Sequence, residues 1–159
     1  MDSIYLDIET RSFPGRMHYI TVVGFYHEET GLVQMLWPDI SAESLDAALP
    51  DAERIYTFNG NNFDLKVIEQ FHGINLRDRF RSCDLMYDCR KHGLKGGLKV
   101  VERRLDIPRT QEPLDNIEIQ RCWSSWKHKG DREALKTLLK YNEEDVMNLV
   151  QLRERLGII

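Results

Sequence analysis

Two acids two positions apart stand inside an apolar segment near the start of the chain, Asp7 and Glu9 in "YLDIET", residues 5–10. Side chains alternate along a strand, so Ile4, Leu6 and Ile8 read as one buried face and Asp7 and Glu9 share the other. Asp64 is a second misplaced acid. Positions 64, 67, 68 and 71 are Asp, Val, Ile and Phe, an amphipathic-helix stripe with a carboxylate at its N-terminal edge. Standing alone, that acid would suit a helix-dipole partner or a cap. Asp145 repeats the pattern. Leu138, Tyr141, Asp145, Leu149, Leu152 and Leu156 fall on one stripe, with Tyr141 and Asp145 four residues apart. A carboxylate there needs a partner, because burying it unpaired is expensive. A buried arginine or a backbone amide would serve, and Tyr141 equally fits a core aromatic.

If the four carboxylates converge, their repulsion calls for a cation, and the motifs themselves hold no neutralising residue beside them. Mg²⁺ and Mn²⁺ prefer hard oxygen ligands, and the His–Cys spacing of a zinc site is absent. Two such ions about 4 Å apart form a clamp for phosphodiester hydrolysis. One activates a water, and both stabilise charge on the phosphate and the leaving oxygen.

The elements that must position these residues follow from pattern. Residues 3–8, 20–26 and 32–37 read as strands, with a turn at 28–31 making a hairpin of the second and third. Ser41 caps a short helix to residue 49. Residues 53–58 form a fourth strand, and a helix then runs to Gly73. A short strand near 78–82 precedes helices in "CDLMYDCRKHG" and "GLKVVERRLDIP". From Asp131 to Leu156 the chain is almost wholly helical, with room for one break. Strands that come first as a meander and then alternate with helices predict one α/β domain, residues 1–159, built on a mixed five-stranded sheet flanked by helices.

Composition sets the wider limits. The chain has 159 residues, 42% hydrophobic and 30% charged, with a net charge of −4. No apolar run approaches the roughly 20 residues that cross a membrane, and "MDSIYLDIET" does not read as a signal peptide. Three cysteines, Cys83, Cys89 and Cys122, form no CxxC pair, which predicts a reducing, cytoplasmic setting. The charge is uneven. Seven basic residues against two acids lie between Arg90 and Arg109, a surface that accepts a phosphate backbone or serves as a plain solvated helix face.

On these residues the chain resembles the DEDD exonuclease superfamily. "DIET" (Asp7, Glu9) is similar to the family's first block, "FNGNNFD" (Asn59, Asp64) to its second and "YNEED" (Tyr141, Asp145) to its third. The His form of the third block needs a His at position 140, which is Lys here, so the chain resembles the Tyr, or DEDDy, branch. "LKGGLKVVERRLDIPR" and "LLKYNEEDVMNLVQL" resemble the YprB-like ribonuclease-H-like exonuclease domains. "TRSFPGR" after Glu9 is not the commonest continuation.

The resemblance implies a ribonuclease-H-like fold whose first three strands are antiparallel, with the acids at one end of the sheet. It also implies 3′→5′ removal of nucleotides from single-stranded 3′ ends of DNA or RNA with two divalent metal ions, Mg²⁺ or Mn²⁺. Asp7, Glu9, Asp64 and Asp145 are then the metal ligands, and Tyr141 orients the attacking water. Thr10 and Asn59 contact the terminal nucleotide, Phe63 packs on a base or in the core, and Lys95 and Lys99 steer phosphates. Trp123 and Trp126 pack the helical layer, with stacking on a base as the alternative for either. Two other readings stay open. One is a ribonuclease-H-type endonuclease using the same acids; the other is a catalytically silent module that binds nucleic acid or a protein partner.

Overall fold

A computed structural model describes residues 2–159. Its strands are β1 (Ser3–Phe13), β2 (Arg16–His27), β3 (Gly31–Leu36), β4 (Arg54–Thr57) and β5 (Arg81–Asp84). Its helices are α1 (Ala42–Ala48), α2 (Asp64–His72), α3 (Leu85–Lys91), α4 (Leu98–Arg104), α5 (Asn116–Lys129) and α6 (Arg132–Arg155). The sheet order is β3-β2-β1-β4-β5. β1, β2 and β3 pair antiparallel, and β4 and β5 join β1 in parallel. This is the mixed five-stranded α/β sheet with flanking helices that the pattern predicts.

Alternation along β1 splits the core. Ile4, Leu6 and Ile8 pack with Val23 and Phe25 of β2 against Leu45 of α1 and Leu65 and Ile68 of α2. Tyr5 and Tyr56 face the other side, against Leu85, Cys89, Val101, Val146 and Leu149 of α3, α4 and α6. A smaller cluster of Val22, Trp123 and Leu138 fastens α5 to α6 and the sheet.

Five elements differ from expectation. β1 and β2 run to Phe13 and from Arg16, well past residues 8 and 20. They are joined by a tight turn in which Gly15 takes φ +80°, a conformation glycine adopts without penalty. The distal residues are polar or exposed, so the ladder continues without the apolar alternation that marks a half-buried strand. β5 lies at 81–84, after a short 3₁₀ turn at Leu76–Asp78. α5 is an additional helix. Of its residues only Trp123 is buried, so it has almost no apolar stripe; its one legible mark is the Asp115–Glu118 capping box. Finally, α6 is unbroken over its 24 residues, and the interruption lies before it, at the left-handed Gly130.

Candidate active site

Asp7 and Glu9 project from β1 beneath α6. Asp7 pairs in register with Gly24 of β2, and a side chain of α6 fills the space that a Cβ at position 24 would take. The residue of α6 at the crossing is Asn142, whose Nδ2 donates to both the carbonyl and Oδ2 of Asp7 at 3.2 Å. One turn further along the helix comes Asp145. Asp7, Glu9 and Asp145 each offer an oxygen, all within 4.8 Å of one another. Glu9 is 7% exposed, and its Oε1 has no hydrogen-bond partner among the described residues.

Asp64 opens α2 on the other side of β1. Its Oδ2 accepts the backbone N–H of Ile8 at 3.0 Å, which ties the helix start to the strand between the two acids. Asp64 shares a groove with Asp7, Asn59 and Phe63, but it is not among the three acids that meet within 4.8 Å.

The electrostatics are those of acids crowded away from water. Burial first, then Asp145, Glu9 and Asp64, push the Asp7 carboxyl well above its ordinary range, and Lys99 opposes the shift. Glu9 is raised chiefly by burial and by Asp145. Asp64 is pushed up to about 7, mainly by burial, with its backbone hydrogen bonds acting against the rise. Tyr141 is 7% exposed, and burial followed by Asp145, Glu9 and Asp7 raises its hydroxyl above the usual tyrosine value. It is a neutral hydrogen-bonding group at any ordinary pH.

One expectation needs correction: the cluster does contain neutralising residues. Lys99 Nζ lies 2.6 Å from Asp145 Oδ1, and Arg109 donates to the same oxygen. Arg109 also holds buried Glu102 at 2.9 Å, and Glu102 receives Asn148 Nδ2 at 2.5 Å. Glu144 accepts the N–H groups of Thr110 and Gln111, at 2.8 and 3.2 Å. Polar contacts thus fasten α4 and residues 109–111 to α6. The pairing of Arg109 with Asp145 is the buried-arginine partner that the stripe alone allowed. Asp145 has two cations, whereas Asp7 has an amide donor and Glu9 an unpartnered oxygen.

The remaining candidate residues are dispersed. Asn59 lines the groove with φ +63°, a left-handed conformation that asparagine tolerates better than most residues. Its turn is held by Asp84, which accepts from Asn59 N at 2.7 Å, from Asn61 N at 3.3 Å and from Met86 N at 3.0 Å. Phe63 is half-buried, lining the groove while also touching the core. Thr10 sits at a register shift in β1, and its carbonyl accepts from Gln120 at 2.8 Å. Lys95 is exposed in the loop before α4. Trp123 is 2% exposed and donates to the Tyr19 hydroxyl, as a packing residue should. The motifs do not point to Asn142, Asp84, Glu102, Glu144 or Asn148. The four on α6 or α4 are polar residues beside an apolar stripe, the same signal that Asp145 gives.

Three converging oxygen donors, from buried Glu9 and Asp145 and half-buried Asp7, with Glu9 Oε1 left without a hydrogen-bond partner, fit a hard divalent cation. The RNase_H superfamily profile matches residues 4–157, and the chain belongs to that superfamily. No curated protein sequence matches it. Solved structures share the fold at low identity. The family B DNA polymerase of the hyperthermophilic archaeon Pyrobaculum calidifontis superposes with TM-score 0.72 at 16% identity, over 98% of this chain and 24% of the polymerase. The chain therefore spans about a quarter of that enzyme's length. A nuclease in its apo form gives 0.65 at 20% identity, and Brucella melitensis NrnC 0.61 at 21%. Each covers 98% of this chain, which spans 72% of theirs. Among the described residues no helix is long and apolar enough to cross a membrane.

Proposed function

We propose that the chain is a metal-dependent 3′→5′ exonuclease of the DEDDy, YprB-like type, hydrolysing phosphodiester bonds of DNA or RNA. The observation that carries this reading is the meeting of Asp7, Glu9 and Asp145 within 4.8 Å, the latter two buried, with Glu9 Oε1 unpartnered. Nuclease names among the structural neighbours agree with it.

Asp7, Glu9, Asp64 and Asp145 hold two divalent ions, Mg²⁺ or Mn²⁺. When bound, such ions supply an acidified water and charge stabilisation at the phosphate. Tyr141, kept protonated by its surroundings, orients the water by hydrogen bonding and does not act as a base. Asn59 and Phe63 receive the terminal nucleotide in the groove beside Asp7, Thr10 contacts it from β1, and Lys95 and Lys99 place positive charge near the phosphates. Buried carboxylates that lack full pairing cost stability in a module that only binds, which weighs against a catalytically silent role.

The test is incubation with end-labelled single-stranded DNA and RNA, with Mn²⁺, Mg²⁺ or chelator. Nucleotides should be released from 3′ ends only with the ion present. Cleavage of a closed circular strand points instead to the endonuclease. Cleavage that persists in chelator after metal removal contradicts the metal site.

A further inference from the structure

We propose that the distal β1–β2 hairpin and the C-terminal half of α5 form a stacking groove for the bases of a nucleic-acid strand, beyond the acid cluster. This inference rests on the nuclease reading. It adds a second contact region that none of the DEDD-type motifs contains.

The groove is walled by Arg11, Phe13, His18 and Tyr19 from the hairpin and by Lys127 and His128 from α5. Rings and cations interleave along it. The Arg11 guanidinium stands 4.3 Å from the Phe13 ring centre, and His18 meets Phe13 edge-on at 4.9 Å. Lys127 lies 4.6 Å over Trp37 and 5.2 Å over Tyr19, and those two rings are 4.9 Å apart. Phe13, on the groove wall, is 48% exposed, and Trp37, outside the wall but packed beside Tyr19, is 37% exposed, so two large rings in this region present surface that the fold does not bury.

The charge is one-sided. From Thr10 to His27 the chain has no acidic residue, and from Ile119 to Gly130 it has none, although the whole protein is at −4. The two segments that build the groove are therefore basic regions on an acidic molecule. Exposed aromatic faces along a positive track are the usual means of holding single strands, because every base has a π-face and every linkage a negative charge. An acidic peptide would meet the charge and leave the rings uncovered.

The groove is also tied to the acids. The strand that carries Glu9 goes on to carry Arg11 and Phe13, the latter four residues or about 13 Å further along. Gln120 of α5 clamps the intervening backbone. It donates to the carbonyl of Thr10 at 2.8 Å, and its Oε1 accepts from Ser12 N at 3.1 Å and from Arg11 at 3.2 Å. The two walls are thus set relative to each other before any ligand arrives.

The test is fluorescence anisotropy of a labelled single-stranded dodecanucleotide in chelator, where no cleavage occurs, over a range of salt. Phe13→Ala should weaken binding about tenfold. Lys127→Gln should lower the slope of log affinity against log salt by about 0.7, the value for one lost phosphate contact on a single strand. Lys66→Gln, on exposed α2 surface, controls for the change in net charge and should leave both quantities as they are. Melting temperatures verify the fold of each variant; Lys127 is exposed, so its variant remains informative if Phe13→Ala unfolds. Wild-type affinity and salt slope in the folded variants, with a wild-type protein that degrades oligonucleotides in Mn²⁺, overturn the groove and leave the nuclease reading standing. A wild-type protein that neither binds nor degrades the strand overturns both. Displacement of the strand by a polyglutamate peptide as effectively as by unlabelled oligonucleotide reduces the groove to charge attraction and also overturns it.

Discussion

Asn142 Oδ1 stands where a side chain at position 24 would begin: a Cβ on Gly24 would lie 2.0 Å from it. Asn142 is fully buried and has no room to swing aside without losing its bonds to Asp7 and Gln34. Asn142 thus fills the space beside Gly24 and binds Asp7 from the same helix that carries Asp145.

Gly24→Ala should therefore act on the site through the backbone. Overpacking of this kind costs about 1–3 kcal/mol. A lower melting temperature should accompany weaker Mn²⁺ binding by calorimetry. Wild-type metal affinity in this variant would mean that the helix crossing does not control the acid cluster.

Asp7→Asn should abolish nearly all nuclease activity without lowering the melting temperature of the metal-free protein. The carboxyl is raised by burial and by three neighbouring acids, so removing its charge relieves repulsion. The amide still offers an oxygen to Asn142. A clear drop in metal-free melting temperature identifies Asp7 as a structural partner instead.

Tyr141→Phe keeps the ring under Lys99, whose ammonium lies 4.6 Å from the ring centre, and removes only the hydroxyl. Turnover at saturating Mn²⁺ should fall on the order of 10²-fold, as for one oriented catalytic hydrogen bond. Metal affinity should stay the same, whereas Asp145→Asn should weaken both. Wild-type turnover in Tyr141→Phe reduces the tyrosine to a core aromatic.

The metal-free protein should lose stability as pH rises. Asp64 titrates near 7 when folded against an ordinary value of 3.8, so the unfolded chain releases this proton first. The unfolded state is then progressively favoured between about pH 4 and 7, and the loss levels off above the folded value. Asp7 and Glu9 act in the same direction. Melting temperatures from pH 4 to 8 in chelator should decline, and Asp64→Asn should flatten the curve. A metal-free protein most stable at pH 8 contradicts this account.

Much of this architecture was legible because it rests on period. Ile4, Leu6 and Ile8 alternate with acids, and the Tyr141–Asp145 stripe repeats every three to four residues, so the five strands and the long last helix could be read. What escaped lacked period. Residues 10–20 pair as a ladder whose tip faces solvent, and α5 buries little beyond Trp123, so neither shows an apolar pattern. The cations on Asp145 escaped for another reason. Arg109 and Lys99 lie 36 and 46 residues from Asp145, and only the tertiary fold makes them its neighbours. The stripe places Asp64 at the edge of an apolar face, and that is where it stands; its bond to the Ile8 amide needs the sheet and cannot be inferred from a helix.

Three backbone amides, those of Asn59, Asn61 and Met86, share the one carboxylate of Asp84. The turn after β4 and the first turn of α3 consequently have a common anchor, and neither can open without disturbing the other. In native-state hydrogen exchange these amides should behave as one cooperative unit, with similar opening free energies despite lying about 25 residues apart. The floor beneath the candidate nucleotide groove then yields as a single block or stays closed.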